Sequence, residues 1–179
     1  MTAPHKLIIC LICLTHFGFT QASYKFNSLH CSVASPEVGK INVCEIKAID
    51  RYHNKLSVEM DLKKTLTQIE IHFKMLKRES GGWHPFFYDM KMDVCKFFQN
   101  KRSFFIPNII YSFMKPFTNL NHTCPYLAGS VLRLWEFTPN EKGVLGVFPV
   151  DHGQYALHSD WYGNKAPILE LNGSVLFYK

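Results

Sequence analysis

Beyond its first 22 residues the chain has no apolar run of the roughly 20 residues that a helix needs to cross a bilayer. It also lacks the local signatures of catalysis. There is no His-Glu-x-x-His, no Gly-x-Ser-x-Gly and no glycine-rich phosphate loop. No two cysteines after residue 22 stand close enough for the Cys-x-x-Cys half of a zinc site. Internal repeats and low-complexity tracts are absent as well, which excludes solenoids and disordered linkers and leaves one ordinary domain. These absences predict a non-enzymatic chain without a metal or cofactor.

What is present begins with a targeting segment. His5 and Lys6 precede a mostly apolar stretch from Leu7 to Phe19, and Thr20-Gln21-Ala22 places small residues at a cleavage position. Residues 1–22 therefore read as a signal peptide, and residues 23–179 as a single secreted domain ending without a lipid-anchor tail. Cys10 and Cys13 fall inside the removed peptide. The full chain carries a net charge of +6, and loss of Lys6 lowers it to +5. The positive residues are scattered as Lys63-Lys64, Lys74, Lys77-Arg78 and Lys101-Arg102, which describes a solvated surface and not a nucleic-acid groove.

Four cysteines remain: Cys31, Cys44, Cys95 and Cys124. In an oxidising compartment they predict two disulfides, for which three connectivities exist. The favoured pairing is Cys31 with Cys44, across the Pro36–Gly39 turn, and Cys95 with Cys124, which closes a strand-helix-return clasp. Each bond then stabilises the fold by about 3 to 4 kcal/mol through chain entropy.

Periodicity supplies the architecture. Leu56, Val58, Met60 and Leu62 alternate with polar residues, and Ile69, Ile71, Phe73 and Met75 repeat the pattern, so both segments read as half-buried strands paired antiparallel. Further strands are expected over Tyr24–Val33, Ile41–Asp50, Phe86–Val94, Tyr155–Trp161 and Ile168–Tyr178. Between them Ile106, Ile109, Ile110, Phe113, Met114 and Phe117 form one helical stripe, with Ser103 as the expected cap and Pro116 as the stop. Residues 127–149 have no decisive period. The sum is an all-β antiparallel sandwich with one short helix.

Three segments carry a family resemblance: PFFYDMKMDVCKF (85–97), NLNHTCPY (119–126) and FPVDHGQYAL (148–157), followed by Trp161. In this order the chain resembles the insect secreted family of domain of unknown function 1091. It is similar to chemosensory secreted proteins and, more distantly, to ganglioside-activator-like, ML-type lipid-recognition proteins. The resemblance implies an immunoglobulin-like β-sandwich whose sheets part around an apolar ligand. Leu127 to Phe148 departs from the family in being longer and more apolar.

The candidate ligand-binding residues are those predicted to point between the sheets: Val58, Met60, Ile71, Phe73, Tyr88, Met90, Leu157, Val175 and Phe177. The methionines suit a variable apolar guest, and each buried ligand methylene contributes about 0.8 kcal/mol. A competing reading is a solid sandwich that contacts an extracellular receptor through Trp83, Phe87 and Trp135. The histidines at 30, 53, 72, 84, 122, 152 and 158 are dispersed and form no local triad. Asn121-His122-Thr123 and Asn172-Gly173-Ser174 fit the acceptor pattern for N-glycosylation.

Overall fold

A computed structural model describes residues 23–140 and 150–178, apart from the side chain of Tyr88. The expected signal peptide and most of the uncertain 127–149 stretch's second half lie outside the described residues. Among the described residues there are eight strands: β1 (Ser23–Val33), β2 (Gly39–Ala48), β3 (Asn54–Leu62), β4 (Ile69–Glu79), β5 (Gly82–Asp93), β6 (Val131–Phe137), β7 (Gly153–Gly163) and β8 (Ala166–Tyr178). They form a five-stranded sheet in the order β1-β8-β7-β4-β5 and a three-stranded sheet in the order β2-β3-β6, antiparallel throughout. This is the antiparallel sandwich that alternation predicts, in the immunoglobulin-like form that the resemblance implies. Val131–Phe137, ambiguous by period, is a strand.

The expected β3–β4 pairing is not made. β3 bonds to β2 and β6, while β4 bonds to β5 and β7, so the two lie in opposite sheets. Alternation fixes which face of a strand is apolar and says nothing about its neighbour. The crossing segment between them is tied down from two directions. Leu66, 1% exposed, exchanges backbone hydrogen bonds with Tyr126 at 2.8 and 2.9 Å. Asn164 sits in the β7–β8 turn, where both it and Lys165 have positive φ, as a two-residue hairpin of this type requires. Its Oδ1 accepts from the Thr67 amide and hydroxyl, both at 2.9 Å, and its Nδ2 donates to the Thr65 carbonyl.

Both disulfides follow the favoured pairing. Cys31–Cys44 joins β1 to β2 with Cα atoms 6.2 Å apart, fastening one seam between the sheets. Cys95–Cys124, with Cα atoms 5.1 Å apart, lies on the other seam, where β5 leaves the wide sheet and the chain returns toward β6.

Between those two cysteines the chain makes two helices, α1 (Val94–Gln99) and α2 (Phe105–Met114), each followed by a single 3₁₀ turn. α1 starts because the Asp93 carboxylate accepts from the Lys96 amide at 3.0 Å, a side-chain cap. α2 has no such cap. Phe104 occupies the position expected for Ser103, whose hydroxyl instead accepts from Asn100 Nδ2. Pro107 lies in the first turn and Pro116 in the closing 3₁₀ turn, both as expected. The helices are held to each other by aromatic edges: Phe97 meets Phe98, Phe104 and Tyr111 at 5.0, 6.0 and 5.4 Å. Lys101 Nζ stands 4.5 Å above the Tyr111 ring and 4.9 Å above Phe98, so this lysine completes the cluster.

Replacing Cys95 and Cys124 together by serine is expected to lower unfolding free energy by about 3 to 4 kcal/mol, read by urea denaturation under oxidising conditions. Tyr126, 3% exposed, predicts a second effect. Burial pushes its phenol from 10.0 to about 12. The unfolded chain then ionises this group before the folded one does, so its contribution is intact below pH 10 and declines as pH rises toward 12. Alkaline unfolding curves for the parent and Tyr126→Phe will show this decline only in the parent.

Candidate functional site

The inner face of the wide sheet is read from its register and ring contacts. Cys31 reaches the opposite sheet through its disulfide, and Phe26 touches Phe137 of β6 at 5.8 Å, so both face inward. Their paired neighbours must do the same. One inner row runs Cys31, Leu171, Ser159, Phe73 and Met90; another runs Phe26, Val175, Tyr155 and Lys77. Between them lies the row Leu29, Gly173, Leu157 and Met75.

These rows are not equally filled. Most of the buried apolar side chains among the described residues fall into two groups. The larger contains Met60, Leu62, Leu66, Ile69, Ile71, Phe73 and Leu169, with Met90, Met92, Ile110 and Leu132 packed on it. The smaller contains Tyr24, Tyr155 and Phe177, with Phe26, Met75, Phe86 and Val175 against it. Leu157 occupies the intervening row, faces the opposite sheet, and keeps 49% of its surface accessible. Gly173 beside it adds no side chain. A Cβ there would meet the Ser28 carbonyl oxygen at 3.3 Å and Leu29 Cδ1 at 3.8 Å, so β1 lies close against β8 at this point. At the same level β5 bulges, setting Phe86, Phe87 and Tyr88 opposite the single residue Met75.

The smaller group extends into a chain of rings. Phe87 meets Phe86 at 4.4 Å, Phe86 meets Tyr155 at 5.0 Å, and Tyr155 meets Phe177 at 5.7 Å. Tyr24 follows at 6.3 Å and Phe26 at 5.5 Å. Phe26 then contacts Phe137, which meets Phe117 at 5.5 Å. This collar passes along the wide sheet, crosses to the narrow one and ends at the foot of the helical clasp. Tyr24 also donates to the Pro139 carbonyl at 2.7 Å, and burial raises the Tyr155 phenol's pKa.

The predicted ligand residues are distributed over these regions. Met60, Ile71 and Phe73, all under 10% exposed, belong to the packed base. Met90 lies half-buried on its margin. Phe177 and Val175 belong to the collar group, Val58 is buried on β3, and Leu157 alone of the described members of the set is exposed. The side chain of Tyr88 is outside the described residues. Sequence reasoning missed Leu29, Gly173, Lys77 and the collar rings other than Phe177. A polar residue at 77 breaking the inward series 69, 71, 73, 75 was the available signal.

A separate surface cleft of about 250 Å³ lies along the return limb, lined by Asn119, His122, Pro125, Tyr126, Leu127, Ser130, Val131 and Leu132. Its side-chain amide and hydroxyl are turned to the backbone: Asn119 bonds Val131 O and the Arg133 amide, and Ser130 bonds Leu127 O. Of the residues proposed for a receptor contact, Phe87 is 75% exposed, Trp135 41% and Trp83 37%. They lie on edge strands of different sheets. Arg78 covers the Trp83 ring at 5.4 Å. Among the described residues no three His, Cys, Asp or Glu side chains are grouped to hold a metal, and no helix is long and apolar enough to cross a membrane. His72 and His53 are each bonded to a carboxylate, Asp89 and Asp50, whose pKa values those histidine hydrogen bonds lower.

The two sequons differ in setting. Asn121 is exposed in the return limb, while Asn172 is on β8, paired with His30 on β1 and His158 on β7. The Asn172 Oδ1 is buried and without a hydrogen-bond partner in the structure.

Residues 71–157 match the model of a family described as protein of unknown function (DUF1091). No curated protein matches the chain. A crystal structure of a Niemann-Pick type C2 protein from Japanese carpenter ant is similar at 10% identity and a TM-score of 0.33, covering 88% of this chain and 93% of that one.

The unequal filling predicts unequal sensitivity to truncation. Met60→Ala should cost about 3 kcal/mol, since it empties a packed site. Leu157→Ala should cost under about 1 kcal/mol, because the side chain already borders open space. Urea midpoints for the two variants check this directly.

Proposed function

We propose that this protein is a secreted, non-enzymatic binding protein that holds a small hydrophobic or lipid-like molecule between its two sheets. The observation that carries the reading is Leu157, an inward-facing leucine left 49% accessible between two packed apolar groups. A solid sandwich would bury such a side chain, gaining about 1.5 to 3 kcal/mol. A guest that covers Leu157 and the neighbouring Leu29 recovers that energy. Val58, Met60, Ile71, Phe73, Met90, Val175 and Phe177 supply the walls on this reading, and Tyr88 remains part of the proposed set.

The rest of the assignment follows the same line. Two disulfides suit an extracellular setting, where the 1–22 segment acts as a signal peptide and Asn121 and Asn172 meet the glycosylation machinery. A chemosensory role is one use of such a carrier, and the family resemblance is its support.

Uptake of the neutral fluorophore N-phenylnaphthylamine tests the reading. The parent should bind with enhanced fluorescence, and Leu157→Arg, which places a charge on this inward row, should abolish binding without loss of the folded circular-dichroism spectrum. Absence of uptake by the parent, together with a bare polypeptide-plus-glycan mass for protein isolated from its tissue, would overturn it.

A further inference from the structure

Lys77 is the inward cation that the apolar reading leaves without a purpose. It lies on β4, paired with Tyr155 of β7, in the inner series that continues Ile69, Ile71, Phe73 and Met75. Its Nζ stands 5.7 Å from the Phe86 ring centre and 6.0 Å from that of Tyr155, inside the aromatic collar. Its side chain is only 22% exposed. The two carboxylates near it, Glu79 at 3.9 Å and Asp151 at 3.8 Å, are outside hydrogen-bond reach and are themselves 53% and 89% exposed. On the other side β5 places His84 in register with it. Leu157, the inward side chain left exposed, is two residues from Tyr155, so the cation and this apolar row are separated by about 7 Å along the strand.

Accepting the inter-sheet site argued above, we propose that the ligand is an amphiphile with a carboxylate head, and that Lys77 binds this head at the collar while the tail lies over Leu157. An ammonium group partly removed from water attracts an anion more strongly than an exposed one does, because solvent screens it less. Glu79 and Asp151 are solvated and at the strand end, so their hold on Nζ is loose and a ligand carboxylate at hydrogen-bond distance displaces it. The rings of Phe86 and Tyr155 keep the ammonium in place through cation–π contact and give the first methylenes of the tail an apolar surface. A hydrocarbon or ester of equal length would gain the tail contacts alone.

Competition for N-phenylnaphthylamine by hexadecanoic acid, hexadecanol and methyl hexadecanoate at neutral pH tests the proposal. In the parent the acid should displace the probe at about tenfold lower concentration than the alcohol or ester. Lys77→Met, which keeps the apolar stem, should lose that preference and still bind the alcohol; Lys77→Arg should retain it. Probe uptake by each variant, with an unchanged thermal transition, shows that the site is intact. Equal displacement by all three compounds in the parent, or an acid preference that survives Lys77→Met, overturns the carboxylate assignment and leaves inter-sheet binding standing. Failure of the parent to take up the probe or any of the three compounds overturns both.

Discussion

The structure depends on covering the difference in width between its two sheets. Five strands face three, so the inner surface of β4 and β5 extends beyond anything β2, β3 and β6 can bury. Exposed, the apolar side chains Met90, Met92 and Phe73 would forfeit most of the burial energy that offsets chain entropy. The helical clasp between Cys95 and Cys124 occupies that strip. Val94, Phe98 and Ile110 pack onto the core group from the clasp, and Phe97 is buried to 1% exposure within it. The Cys95–Cys124 bond holds the clasp's two ends at one seam, and the exchange between Tyr126 and Leu66 ties its return limb to the segment that crosses between sheets.

A sandwich fastened along both seams has little freedom to collapse at its centre. Cys31–Cys44 fixes the β1–β2 edge and the clasp fixes the β5–β6 edge. One end of the interior is then filled by aliphatic side chains from both sheets, and the other is ringed by aromatic ones. Large rings meeting edge to face keep the collar wide, where smaller aliphatic residues would let the sheets close. Leu157 lies between those two arrangements and is left 49% exposed, covered by neither.

Polar residues follow the same division. The outward face of the wide sheet carries Glu70, His72, Lys74, Asp160 and Glu170, in line with alternation. Asn172 also lies on that face, yet its buried Oδ1 shows that the middle of a sheet is less open than its polar sequence implies. Lys101 and Lys77 look alike as charges in the chain but serve different surroundings. Lys101 is enclosed by the rings of the clasp, whereas Lys77 stands at the collar of the interior.

Much of this could be read from the residues in order. Period two in Leu56–Leu62 and Ile69–Met75 located strands and their apolar faces, because successive side chains on an extended chain must point to opposite sides. The helical stripe from Ile106 to Phe117 and the favoured ring closures of four cysteines were equally local in origin. Sheet membership was not. β3 and β4 are consecutive amphipathic strands, and nothing in their own alternation records that Tyr126 and Asn164, far along the chain, hold the connection between them in a crossover. Nor does periodicity separate an inward residue that is buried, such as Met60, from one left exposed, such as Leu157. That distinction depends on what stands across the gap, and the groups standing there come from strands distant in sequence, so only the assembled tertiary structure decides it.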